Sequence, residues 1–155
     1  MPAISWSKLA ALFIVALGAG IVVSGLLVRS GSAFPLTPGT LAVTLLVIGI
    51  GVYLASLPIS HYRRASERGE FAKRPNPFVA IRILLFARAT SITATGFSGW
   101  FLGQLGWLFL FGNPVEGLVT ATALALLAGL AMLALGYLAE LNCRAPRDPE
   151  SEVGK

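Results

Sequence analysis

Two arginines, Arg82 and Arg88, stand in an apolar stretch that reads FVAIRILLFARATSITATGFSGWF from position 78 onward. Guanidinium groups in such a helix either hold an anion inside a membrane or mark the depth at which the helix enters it. Catalysis would ask for a general acid or base within reach of a nucleophile. The acids Glu67, Glu70, Glu140, Asp148, Glu150 and Glu152 fall in or beside the segments that follow the second and fourth apolar runs, and Glu116 stands apart from them. The hydroxyls Thr90, Ser91, Thr93 and Thr95 follow Arg88, and in a helix such side chains bond back to carbonyls more often than they act as nucleophiles. The single histidine, His61, and the single cysteine, Cys143, lie in different connecting segments. Neither a metal-ligand set nor a disulfide can be built from them. With no phosphate-binding loop in view, the expectation is a protein without enzymatic chemistry, cofactor or metal.

The elements that carry these residues follow from composition. Of the 155 residues 55% are hydrophobic and 12% charged, about half the charged share of a soluble domain. Apolar runs cover 9–28, 41–59, 89–111 and 118–138, each close to the ~20 residues a helix needs to cross a ~30 Å hydrocarbon core. A membrane β-barrel would show alternating segments of about ten residues, so the expected fold is all-α: a polytopic membrane protein with four transmembrane helices. The first run follows Lys8 and precedes Gly31-Ser32-Ala33, which resembles a secretory signal, but it is longer than a signal core of about 7 to 15 residues. An uncleaved helix is expected there. One transmembrane domain, 1–143, is expected, with helices over about 9–28, 41–59, 78–111 and 117–140. A basic loop over 60–76 and a mobile, proline-containing tail over 144–155 complete the chain.

Charge orients the bundle. Lys8, Arg63, Arg64, Arg68, Lys73, Arg74, Arg144, Arg147 and Lys155 fall on one side, and Arg29 is alone on the other. The positive-inside rule then puts both termini of a multi-pass membrane protein in the cytoplasm. The net charge of +5 follows this topology, and without aromatic-basic interleaving or a recognition motif it does not point to nucleic acid. Anionic lipid headgroups are the expected partners of Arg63, Arg64, Arg68, Lys73, Arg74 and Arg82, at up to ~1 kcal/mol per basic group near the surface.

Asn76 and Pro77 suit a helix start, the first as a cap and the second at the first helical position. A helix from 77 to 111 would measure about 52 Å, far more than a crossing needs. Residues 89–111 can then span the hydrocarbon while 78–88 lie in the cytoplasmic interface, with Arg88 snorkelling to the headgroups. A crossing that began near Phe78 would bury both arginines, at ~2.5 to 3.5 kcal/mol each near mid-membrane. The two lie about 120° apart around the axis and do not line one face. Folding the third and fourth helices back about Asn113 puts Arg88 and Glu140 near one depth. An interfacial Arg88 to Glu140 pair is predicted, with two independently solvated charges as the other arrangement open.

Ala89, Gly96, Gly99, Gly103 and Gly106 recur at spacings of seven, three, four and three. Such a small-residue stripe, with Gly99 and Gly103 as a GxxxG pair, lets another backbone approach closely in lipid. Inside the bundle it would meet Ala11, Gly18 and Gly25 of the first helix or Ala125 and Gly129 of the fourth; otherwise it would form a homodimer. Gln104 is the polar side chain expected to hydrogen-bond between helices.

The run NPFVAIRILLFARATS, through Pro77, Ala80, Arg82, Leu84, Ala87, Arg88, Ala89 and Ser91, resembles a family of small actinobacterial four-helix membrane proteins catalogued as a domain of unknown function. Ile81 departs from the alanine usual there. The ending CRAPRDPE is similar to that family's tail through Cys143, Arg144, Pro146, Asp148 and Pro149, with Arg147 interrupting the acidic run. The resemblance implies a four-helix membrane topology and, because its members are often encoded beside folate-biosynthesis genes, a pathway association; it implies no activity.

Two functions remain from these observations. The first is a non-enzymatic interaction or accessory subunit of the cytoplasmic membrane, acting alone, as a homo-oligomer or with a membrane-protein partner. The alternative is a small oligomeric transporter for an anionic metabolite, with Arg88 beside its path, although no broken helix or inverted repeat is evident.

Overall fold

A computed structural model describes residues 6–35, 37–67, 77–112 and 115–143, the side chains of 62–67 and of 77 excepted. Four helices account for nearly all of them: α1 (Trp6–Arg29), α2 (Gly39–Glu67), α3 (Pro77–Phe111) and α4 (Glu116–Cys143). Each is long and apolar enough to cross a membrane, and a helix satisfies its own backbone where water is absent.

Local chemistry sets several ends. α1 closes with Gly31 at φ +75°, where Ser32 N–H donates to Leu27 O and Gly31 N–H to Val28 O, at 3.0 and 3.1 Å. This is the glycine-terminated double bond of a Schellman cap. α3 begins at Pro77; Asn76, its expected cap, lies outside the described residues. α2 runs eight residues beyond the expected end at 59 and takes 60–67 out of the expected loop. Pro58 lies within it and removes one ladder donor. Arg63 and Arg64 therefore sit on a helix, while Arg68, Lys73 and Arg74 lie outside the described residues.

The helices are ordered α1, α3, α4, α2. α3 and α4 form the central antiparallel hairpin, α1 packs on α3, and α2 packs on α4 with a smaller contact to α3. Leu45, Ala94, Phe101, Ala125, Ala128 and Met132 make the core, a set dominated by short side chains. Large apolar residues such as Val15, Val47, Phe86 and Leu127 face outward. Dispersion between close-packed backbones, rather than exclusion of apolar groups from solvent, must hold such a bundle together in lipid.

Candidate functional site

The α3–α4 seam is built from serines opposite glycines. A methyl added at Gly136 would lie 2.8 Å from Ser91 Oγ, and one at Gly129 would lie 2.9 Å from Ser98 Oγ. The serines and the glycines are both seven residues apart, two turns, and run in opposite directions. One turn beyond Ser91 and Gly136 the same seam brings Arg88 Nε to 3.6 Å from Glu140 Oε1. The Glu140 side chain is 2% exposed and that of Arg88 23%, so the carboxylate is enclosed and the arginine side chain partly exposed. At this distance the Nε–Oε1 contact is an ion pair.

The register of α1 fixes where this pair lies in the bundle. A methyl at Gly20 would come within 2.5 Å of the Trp100 carbonyl oxygen, one at Gly99 within 2.6 Å of that of Phe13, and one at Gly103 would meet the Leu17 carbonyl. α1 and α3 are parallel, with Gly20 beside Gly103. Counting back fourteen residues from each puts Trp6 level with Ala89. Arg88 thus stands where α1 begins, and the first three turns of α3, with the exposed Arg82, project past it.

The small-residue stripe divides. Gly99 and Gly103 are consumed by α1, whereas methyls at Gly96 and Gly106 would touch nothing within 4 Å and Ala89 is exposed. On α1 the contact is made by Gly20 rather than by the expected Ala11, Gly18 and Gly25; Gly18 is open, and Gly25 faces the Trp107 indole. Gln104 is buried, but its Oε1 has no hydrogen-bond partner among the described residues. A side-chain hydrogen bond between α4 and α2 is made by Asn142 Nδ2 donating to Ser56 Oγ at 3.2 Å, with Ser56 Oγ donating to its own helix at Tyr53 O, 2.7 Å. Neither residue belongs to a motif, so only their shared depth on two packed helices could have paired them.

A cavity of about 680 Å³ opens between α1 and α4, which do not otherwise pack together. Its walls are mainly apolar, and Ser91 and Thr95 of α3 lie along its floor. Both hydroxyl hydrogens are committed, Ser91 to Ala87 O at 3.0 Å and Thr95 to Ser91 O at 2.8 Å. Glu140 lines one end, where the Trp6 and Tyr137 rings meet across the gap at 5.4 Å. Among the described residues no group of three metal-ligating side chains forms.

No curated protein and no solved structure matches the chain. Residues 9–147 match the family described as "Protein of unknown function (DUF3180)", and the match spans all four helices together with the Arg88–Glu140 seam. The chain therefore belongs to the DUF3180 family.

Proposed function

We propose that this protein is a non-enzymatic accessory subunit of the cytoplasmic membrane, with both termini in the cytoplasm, that works by packing against other membrane components. The observation that carries this reading is how five of the buried hydroxyls are used. Ser56, Ser60, Ser91, Thr95 and Thr122 each donate to a carbonyl of their own helix, and Glu140 lies beside Arg88. Among the described residues, these groups supply helix packing rather than a nucleophile oriented by a base. The orientation is supported by nine basic residues on one side against Arg29 on the other. Arg88 at the level where α1 begins is what a headgroup-depth arginine would do, and it leaves Arg82 free to meet anionic lipid.

Photo-crosslinking side chains placed at the outward-facing Val47, Phe86 and Leu127, one at a time in cell membranes, test the proposal. A protein adduct confined to one of these helix faces is expected. Lipid adducts alone at all three positions refute it. Anion flux into proteoliposomes that disappears in Arg88→Gln would replace it with the transporter.

A further inference from the structure

The cavity between α1 and α4 has the length, section and polarity of a lipid site. From Trp6 to Ile14 it follows eight residues of α1, about 12 Å, and from Glu140 to Leu130 ten residues of α4, about 15 Å. The hydrocarbon of a single leaflet is about 15 Å deep, half of a ~30 Å core. Spread over that length, about 680 Å³ gives a mean section of about 50 Å². Methylene chains, whose carbons pack about 4 Å from their neighbours, fit two abreast. The ends differ in the same sense as a lipid does. Trp6 and Tyr137 meet at one end beside Glu140, and such rings take the headgroup level of a membrane. Ile14 and Leu130 form the other end.

We propose that this groove holds the two acyl chains of one glycerophospholipid from the leaflet at the α1 N-terminus, with its glycerol region beside Trp6, Tyr137 and the Arg88–Glu140 pair. The site rests on the membrane reading above and gives the accessory protein a resident lipid.

The full chain, reconstituted in nanodiscs of dioleoyl phosphatidylethanolamine and phosphatidylglycerol and then released into detergent, is read by native mass spectrometry. One phospholipid mass per chain should survive delipidation. Ala10→Trp and Ala134→Trp, which fill the groove from opposite walls, should lower that occupancy at least tenfold, whereas Ala55→Trp on the outer face of α2 should keep it. Equal retention in all three variants, or none in the unmodified protein, overturns the proposal. So does a dimer mass that Ala10→Trp abolishes, since a second copy would then fill the groove. Quenching gives a readout that leaves the groove walls unaltered: in Trp100→Phe/Trp107→Phe, phospholipid brominated on its chains should quench Trp6 at substoichiometric lipid, and quenching only in proportion to bulk lipid sinks the site. Protein recovered from the soluble fraction overturns the accessory function as well; protein in the disc without a retained lipid overturns the groove alone.

Discussion

A methyl group at Gly103 or Gly99 should pry α1 from α3, and the same methyl at Gly106 or Gly96 should not. At Gly99 the new carbon would lie 2.6 Å from Phe13 O, 3.0 Å from Ala16 Cβ and 3.2 Å from Leu17 N. Ordinary contact begins near 3.4 Å, so the helices must part by about 0.8 Å along that line. Two of those three atoms are backbone and cannot rotate aside. A gap of ~0.5–1 Å forfeits a quarter to a half of the dispersion well of every pair it opens. Among the described residues the helix that α1 packs along is α3, with the Trp6–Tyr137 rings also meeting α4. Overpacking of this kind costs about 1–3 kcal/mol, partly offset by the ~1 kcal/mol that alanine gains over glycine in a helix. Gly103→Ala, whose methyl would meet the Leu17 carbonyl, should therefore destabilise by up to ~2 kcal/mol net. Gly106→Ala should be neutral or stabilising by up to ~1 kcal/mol. Unfolding of the four proteins in mixed micelles by added dodecyl sulfate, followed by tryptophan fluorescence, reads the order directly. If Gly103→Ala is as stable as Gly106→Ala, the α1–α3 glycine contact is wrong. Loss of a dimer in Gly106→Ala with Gly103→Ala unaffected would move the stripe to an intermolecular interface.

The other predictions use the same stability assay except where stated. Glu140→Gln should cost ~2–4 kcal/mol, below the upper end for a broken buried pair because Arg88 keeps 23% exposure; Arg88→Gln/Glu140→Gln should recover most of that loss, and strictly additive effects would deny the pairing. Gly129→Ala should destabilise by up to ~2 kcal/mol through its 2.9 Å approach to Ser98 Oγ. Adding Ser98→Ala should restore stability, because the next nearest atom, Ser98 N, stands at 3.6 Å. Asn142→Ala removes the bond to Ser56 and should cost only ~0.6 kcal/mol, the average for side-chain hydrogen bonds between membrane helices; a loss several times larger would mean that more than this bond is broken. Cys143, partly exposed at the end of α4, should react with an impermeant maleimide in inverted vesicles and not in intact cells, and the opposite pattern would reverse the orientation.

Length and composition determined the four helices, because twenty-odd consecutive apolar residues have few other stable states in lipid. They also made the depth of Arg88 relative to Glu140 computable, since in an antiparallel hairpin depth depends only on distance from the turn. One feature of α2 resisted this approach. Its last two turns are charged, so apolarity ended too early at 59. Helix rotation and neighbours were decided by the tertiary structure alone. In α3 and α4 apolar residues are spread almost evenly around the axis, so no amphipathic stripe marks a protein-facing side. Which glycine meets which backbone is settled by shape: Gly20 rather than Gly18 fits against Gly103, and Ser91 and Ser98 fit opposite Gly136 and Gly129. The order α1, α3, α4, α2, and with it the groove that α1 and α4 leave between them, follows from those local fits. A one-dimensional pattern records how deep a residue lies, but not which way it faces.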